Sequence, residues 1–376
     1  MLREVLSGVA AGTVSGILPG IHVNTLGTVL RGTAAPGNLF LFSMGLTHTF
    51  LDVIPSTFLG VPDEGTALGI LPAHRLVLQG KAMEVVRIAL WASLFAVLLA
   101  LPLMPLYLIL APLYHARVGR FIVLLLLFFL VLTEKGLQRV FAVAVFFLAG
   151  LLGIYTFGLG LSHPYYHLFT GLFGVPVLLM ALFNGTKHID VDDSEPNVDP
   201  RSLLAFSALG TLLGMAASLV PAFTPSQAAL MGSFVSKEER SFLTVVFSVN
   251  TSNFLFSFVN FVETGRIRNG VIALMDPVGR NALEFYLLAA VFVSLLILMY
   301  GEALAAFLLG VLRRVPYRVL NACVLGFLLG LSLLFDGLLG LLVLLGGSLI
   351  GSLAVVLNVK RTNCMGVLML PIIIGR

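Results

Sequence analysis

The sequence predicts an all-α polytopic membrane protein, built from two homologous repeats of about five to six membrane elements each. Broken or re-entrant helices are expected at the repeat interface. Two observations lead to this fold class. Hydrophobic residues make up 59% of the chain and charged residues only 11%, which is too few charges to cover a water-soluble surface. A pattern of glycine, proline and polar residues near the amino terminus also returns in mid-chain at a constant spacing.

Long uncharged runs define the membrane elements, because about 20 apolar residues suffice to cross a bilayer as a helix. In the first half, residues 1–184, we expect elements at 5–31 (interrupted), 38–56, 66–78 (short), 85–111, 119–133, 138–160 and 166–184. In the second half, residues 201–376, we expect them at 202–235 (interrupted), 241–262, 281–312, 317–335, 337–358 and 363–375.

Residues 185–200 separate the halves and read as a solvated linker, since they have no apolar period and hold five of the eighteen acidic residues. Docking of a partner on this segment is the alternative. Basic residues occur in consecutive loops, so the positive-inside rule gives no clean alternation. The side of the amino terminus, and the choice between parallel and inverted repeats, therefore stay open.

Charge and cysteine usage exclude several classes of partner. The net charge of +4 is scattered, with no basic run to follow a phosphate backbone, so no nucleic acid is expected. Cys323 and Cys364 lie in apolar stretches without metal-ligand spacing and are expected to be buried thiols. The first twenty residues lack a small-residue cleavage site and are expected to be retained rather than removed as a signal peptide.

The repeat shows as matched residues at an offset of 202 positions. Small residues that favour close helix packing match first: Gly8 with Gly210, and Gly12 with Gly214. The prolines and the polar residues behind them match next, Pro19 with Pro221, and His22, Asn24 and Thr25 with Thr224, Ser226 and Gln227. Such an ordered series predicts a duplicated unit.

Each matched segment is expected to unwind inside the membrane. Proline stops a helix and glycine permits a sharp turn, as at Pro19-Gly20. Broken backbone at membrane depth is tolerated only where it is buried or lines a wet cavity, and paired breaks are a pointer to a transporter's binding site. With Asn24 and Ser226 as N-caps of the restarting helices, the free N–H groups suit an anion. Kinked helices packed through their glycine faces are the alternative.

Two further polar groups could line the path or hold a coupling ion. In the first half, His48 and Asp52 lie within an apolar span, and Asp63 and Glu64 follow in a short polar segment; such residues could bind H⁺ or Na⁺. The alternatives are an ordinary loop for the last two and a hydrogen-bonded core histidine for His48. In the second half, the run from Asn250 through Thr251 to Asn253 could line the substrate path or join helices.

No soluble-enzyme motif occurs, neither a P-loop nor a dinucleotide fingerprint, HExxH or GxSxG, and no catalytic residue, metal or cofactor is predicted. Without a P-loop, transport is expected to be driven by an ion gradient or to be facilitative.

Several segments resemble the large permease subunit of the tripartite tricarboxylate transporters, TctA-like and in its shorter archaeal-type branch. They are SGILPGIHVNT (15–25), IPSTFLGVPDEGTALGILPAHRLVLQGKA (54–82), HLFTGLFGVP (167–176) and SLVPAFTPSQAAL (218–230). The chain departs from the family pattern at Pro62–Thr66 and at Ala222. The resemblance implies a permease of the cell membrane that imports carboxylates with a small membrane subunit and an extracytoplasmic binding protein.

The expected function is therefore secondary transport of a small organic anion, a di- or tricarboxylate, with H⁺ or Na⁺ as the coupling ion. The substrate is expected at Asn24, Thr25, Ser226 and Gln227, beside the amides next to Pro19 and Pro221. A homodimer is compatible with this expectation. A translocase for a polyprenyl-phosphate lipid carrier is the alternative, and an intramembrane enzyme or scaffold is a further one.

Overall fold

The computed structural model describes residues 1–18, 23, 26–27, 30, 36–60, 66–113, 116–132, 134–183, 199–220, 223–236, 238–314 and 316–375. All regular secondary structure in this part of the chain is helical, which confirms the predicted all-α class. The α-helices are α1 Leu2–Ile17, α2 Asn38–Leu51, α3 Val53–Leu59, α4 Ile70–Leu78, α5 Ala82–Leu110, α6 Ala116–Leu132, α7 Gln138–Gly158, α8 Pro164–Phe169, α9 Val175–Phe183, α10 Pro200–Leu219, α11 Pro225–Val235, α12 Glu239–Thr264, α13 Leu283–Leu312, α14 Tyr317–Val356 and α15 Gly366–Ile374. A π-helical turn, Thr170–Gly174, joins α8 to α9.

Seven of the described helical segments are long and apolar enough to cross a membrane, and shorter apolar helices accompany them. The seven are Asn38–Leu59, Ala82–Leu113, Gln138–Gly158, Pro200–Leu219, Glu239–Thr264, Arg280–Leu312 and Arg318–Val356. They follow the elements expected from the uncharged runs. The prediction of a multi-pass membrane protein is confirmed.

Two of these segments form the centre of the molecule. The apolar windows of Asn38–Leu59 and Glu239–Thr264 are 94% and 89% buried, whereas no other candidate span exceeds 39%. They lie against each other in opposite directions: Gly45 of α2 faces the ring of Phe254, while Asn250, one turn earlier on α12, reaches Thr49. The remaining spans surround this pair and present apolar side chains outward, as a lipid-facing surface requires.

A second helix packs against each central helix and runs parallel to it, with glycines at the contact. We call these two contacts the glycine seams. A Cβ atom at Gly12 of α1 would lie 2.5 Å from the Met44 carbonyl oxygen, and one at Gly214 of α10 would overlap Ser252. Only glycine permits such close approach of the backbones. The packing faces expected from these glycines are therefore present in both halves.

The helix directions set the two halves in opposite orientations. We call the side where α1 and α2 begin the amino-terminal face, and the side where α10 and α12 begin the opposite face. Helix α5 begins at the opposite face, where Glu84 pairs with Arg240. Helix α13 begins at the amino-terminal face, where Tyr286 packs on Phe42. This is the arrangement expected of inverted repeats. The common origin of the halves stays a prediction, as does a division at 185–200, since residues 184–198 lie outside the described part.

The predicted spans 317–335 and 337–358 are two helices that meet at a kink, and we number them together as α14. The kink lies at Asp336 and Gly337, where Gly337 has a φ of 60°. The Asp336 carboxylate accepts hydrogen bonds from the backbone N–H groups of Ser162 and His163, at 2.6 and 2.9 Å. These bonds hold the kink against the start of α8.

Of the two expected buried thiols, only Cys364 is buried. Cys323 is exposed on α14. The prediction was wrong for Cys323 because an apolar stretch in this protein can face lipid as well as the core, and a thiol is apolar enough for either.

Candidate functional site

Helix α10 ends at Leu219, and the next residue, Val220, has an extended backbone with φ −87° and ψ 110°. Side chains from elsewhere satisfy the carbonyl groups that this end leaves open. Asn260 Nδ2 donates to the Ser218 carbonyl at 2.9 Å, and Arg268 Nη2 donates to the Leu219 carbonyl at 2.9 Å. Because no water reaches a helix end inside a bilayer, such partners are what allow a helix to stop there.

Helix α11 begins at Pro225 with Thr224 as its N-cap. The Thr224 hydroxyl accepts from the Gln227 N–H at 3.2 Å, and the Gln227 side-chain oxygen accepts from the Thr224 N–H at 2.9 Å. The expectation that Ser226 is the N-cap is therefore wrong. Proline fits the first helical position, and the reciprocal pair of Thr224 and Gln227 forms a capping box around it. Ser226 is fully buried one residue further on.

Gln227 has a free hydrogen-bond donor at this helix terminus. Its side chain is 0% exposed, and its amide nitrogen Nε2 makes no hydrogen bond. The capping box fixes which end of the amide is oxygen, because that end must accept an N–H. A buried donor without a partner costs about 1–3 kcal/mol. It is also the group that an anion beside a helix N-terminus can use.

In the first half, helix α1 ends at Ile17, and Leu18 has an extended backbone with φ −84° and ψ 114°, close to the values at Val220. Both helices thus end two residues before the prolines at which breaks were expected, with one extended residue between. The other candidate residues of these breaks lie outside the described residues: Pro19, Gly20, His22, Asn24, Thr25 and Pro221. Convergence of the two breaks on one pocket stays a prediction.

A group of buried polar residues lies where α2 and α12 cross, and we call it the crossing cluster; it comprises Ser15, His48, Asp52, Ser93, Asn250 and Thr251. Asp52 is 3% exposed and accepts a hydrogen bond from Asn250 Nδ2 at 2.8 Å. The ring nitrogen Nδ1 of His48 lies 3.2 Å from the Ser15 hydroxyl. A carboxylate buried at the centre of a membrane protein is a candidate for proton or cation binding.

On the α12 side, the Thr251 hydroxyl donates to Ser93 at 2.9 Å, which ties the cluster to α5. Asn253 is buried on the same helix and makes no side-chain hydrogen bond within the described part of the chain. The structure thus brings His48, Asp52, Asn250 and Thr251 to one region.

Three residues that contribute to the candidate site were not predicted from the sequence: Ser15, Ser93 and Arg268. The two serines carry no signal, since isolated serines are common in membrane helices. Arg268 lies in a loop nearly fifty positions from the helix end that it caps.

Asp63 and Glu64 lie outside the described residues. Among the described ones, no group of three or more His, Cys, Asp or Glu side chains is placed to hold a metal ion.

Comparison with known proteins places these features in a family. The model of the tripartite tricarboxylate transporter TctA family matches residues 2–366. The uncharacterized protein MJ1079 of Methanocaldococcus jannaschii is 29% identical over 403 residues, covering 99% of this chain and 98% of that protein. No solved structure matches the chain.

The described fold and site define a polytopic helical membrane protein with buried polar groups and interrupted helices, the class to which transport permeases belong. The chain belongs to the tripartite tricarboxylate transporter TctA family. The predicted resemblance is thereby confirmed, and transport rather than catalysis is the activity that the family indicates. The family match does not favour the alternative of a lipid-phosphate translocase.

Proposed function

We propose that this protein is a secondary permease that moves a di- or tricarboxylate through the cell membrane, driven by an H⁺ or Na⁺ gradient. Within the family, the observation that carries the proposal is the free amide donor of Gln227 at the N-terminus of α11. A carboxylate oxygen placed there would satisfy that donor and interact with the positive end of the helix dipole.

The substrate site in this proposal is shared by the two interrupted segments. Gln227, Ser226 and Thr224 contribute from the second half, with the backbone amides beside Pro221. The first half contributes Asn24, Thr25 and His22 with the backbone at Pro19-Gly20. Asn250, Thr251 and Asn253 line the path beside this site. The support is the matched end of α1 and α10, each with an extended residue before the proline.

The coupling ion is assigned in this proposal to the acidic residues of the first half. Asp52 is the primary candidate because it is buried in the crossing cluster and bonded to Asn250 of the other half. His48, one turn earlier, is placed to take part in proton transfer, and Asp63 and Glu64 are further candidates. Because the Asp52 carboxylate contacts two oppositely directed helices, binding of an ion to it can affect the position of both.

The family name also guides the proposed partners. We propose that the permease works with a small membrane subunit and an extracytoplasmic binding protein, in the cytoplasmic membrane, and that two copies can form a homodimer. The apolar outer faces of α13 and α14 offer surface for lipid and for such a subunit.

Purified protein in liposomes tests the proposal directly. We expect labelled citrate or succinate to accumulate when an inward Na⁺ or proton gradient is imposed, and not in empty liposomes. Absence of accumulation under every gradient, together with movement of a polyprenyl phosphate, would show that the proposed function is wrong.

The coupling role is tested in the same assay with Asp52→Asn. We expect gradient-driven accumulation to fall to the background level while exchange of labelled for unlabelled substrate continues, because the amide cannot bind a cation or release a proton. Glu284→Gln, an exposed residue in the first turn of α13, is the matched control and should accumulate like the wild type. Wild-type accumulation by Asp52→Asn contradicts the assignment.

A further inference from the structure

A cavity of about 570 Å³ lies at the opposite face, away from the crossing cluster. It is bounded by α4, the ends of α9 and α11, the start of α12 and the segment after α14. Its described lining includes Arg75, Phe173, Val177, Lys360, Arg361 and Thr362. No residue of the crossing cluster, and none of Thr224, Ser226 and Gln227, is a described lining residue.

The charge of this lining has one sign. Arg75, Lys360 and Arg361 are basic, and the described lining residues include no aspartate or glutamate. The walls between them are mostly apolar, with Phe173 and Val177 on one side. A cavity with basic groups and apolar walls fits a small organic anion better than a cation or a neutral polar solute.

Arg361 is the most enclosed of the three cations. Its Nη2 donates to the carbonyl oxygens of Leu172 and Phe173, in the π-helical turn, and its guanidinium lies 5.6 Å from the centre of the Phe173 ring. Its Nε is buried and makes no hydrogen bond. No carboxylate lies within 4 Å of it among the described residues, whereas Arg87 and Arg240 each pair with a glutamate.

Arg361 therefore retains both charge and a donor. The carbonyl groups satisfy some of its N–H groups but carry no net negative charge, and a buried cation is costly without an anion. The neighbouring hydroxyl of Thr362 is likewise buried without a hydrogen-bond partner. A bound carboxylate would supply the missing negative charge and acceptors for both groups.

The other two cations lie further out. Arg75 pairs with Glu239 at 3.2 Å, but its side chain is 61% exposed, so solvent screens this pair strongly. Lys360 is exposed, and its backbone N–H donates to Glu134 at 2.9 Å. Both can attract an anion towards the cavity without being fully desolvated.

We propose that this cavity is a second anion site, in which Arg361 and Thr362 bind a carboxylate group of a small organic anion at the opposite face. Lys360 and Arg75 raise the local concentration of that anion. The identity of the ligand rests on the proposed function, whereas the location of the site rests on the contacts of Arg361 alone. In this proposal the cavity serves as the vestibule through which substrate reaches or leaves the substrate site beside Gln227.

The test is calorimetric titration of citrate into the purified full chain, with succinate and inorganic phosphate as comparison ligands. We expect Arg361→Gln to weaken citrate binding about tenfold or more, because a charge-assisted hydrogen bond is lost. Lys360→Gln and Thr362→Val should weaken it less, and added salt should weaken wild-type binding. Arg314→Gln, an exposed cation at the same face but outside the cavity, should bind like the wild type.

Wild-type affinity in Arg361→Gln, Lys360→Gln and Thr362→Val overturns the inference, as does citrate binding that salt does not change. If Arg361→Gln fails to fold, the other two variants decide. Phosphate bound through Arg361 as tightly as citrate overturns the assignment to carboxylates. Uptake in liposomes separates the two proposals: normal uptake with unchanged binding in these variants overturns only the second site, whereas neither uptake nor binding by the wild type overturns both.

Discussion

The oxygen and the nitrogen of the Gln227 side-chain amide have different roles. Its oxygen accepts the Thr224 N–H and so starts α11, while its nitrogen stays buried without a partner. A side chain needed only for capping could be a glutamate, which caps as well and favours a helix N-terminus. The amide nitrogen is thus the feature that capping does not explain, and an anionic ligand explains it.

Gln227→Glu separates the two roles. The carboxylate keeps an acceptor for the Thr224 N–H at a helix N-terminus, which offsets part of the cost of burying its charge, so the protein should still unfold in one cooperative transition in detergent. It also replaces the donor by a negative charge, so substrate affinity should fall at least about tenfold. The same change in the first turn of another helix, Gln138→Glu, is the control and should leave affinity unchanged. Unaltered affinity in Gln227→Glu would exclude this residue from the site.

The two glycine seams decide how the interrupted helices are positioned. Helix α1 packs on α2 through Gly12, and α10 packs on α12 through Gly214, each against backbone or a short side chain. Because nothing flexible lies opposite, an added methyl group must push the helices apart. The seams therefore fix the depth at which α1 and α10 end, and with it the depth of both breaks.

Gly12→Ala and Gly214→Ala are expected to destabilise the protein by about 1–3 kcal/mol each, the usual cost of overpacking. Gly310→Ala on α13 is the matched control, since a Cβ there meets no atom within 4 Å. It should leave stability unchanged or raise it by up to about 1 kcal/mol through better helix propensity. Thermal unfolding in detergent measures all three. Equal stability of all three variants would show that the glycine seams do not position α1 and α10.

At the scale of the whole molecule, the helix directions sort the basic residues by face. The opposite face has Arg75, Lys81, Arg87, Lys135, Arg139, Arg201, Arg240, Arg313, Arg314, Arg318, Lys360 and Arg361. The amino-terminal face has, among described side chains, Arg3, Arg120, Arg266, Arg268 and Arg280. Loops on the cytoplasmic side carry the excess of lysine and arginine. The opposite face is therefore expected to be cytoplasmic.

Single-cysteine labelling in intact cells checks this orientation. In a chain whose Cys323 and Cys364 are replaced by alanine, a membrane-impermeant maleimide should label Arg3→Cys in intact cells. It should label Arg314→Cys only after the cells are permeabilised. The reverse pattern would invert the assignment and place the basic cavity outside.

Some features of the fold could be predicted from the sequence, and others only from the structure. Sequence correctly predicted where most helices begin and end, including the interruption within 202–235 and the change of direction at Asp336. It could not give the side of the amino terminus or the mutual direction of the halves. Ser226 was taken for an N-cap because serine is a good one, but Thr224 with Gln227 three residues later is the better pair.

What this sequence determines by itself is its membrane class, its apolar spans, the ends of α1 and α10 before their prolines, and its family resemblance. Hydropathy and proline act over a few neighbouring residues, so they can be read along the chain. Only tertiary structure joined Asp52 to Asn250, Arg268 to the end of α10 and Arg361 to the turn at Leu172 and Phe173. These partners lie from about fifty to about two hundred positions apart, and helix packing alone brings them together.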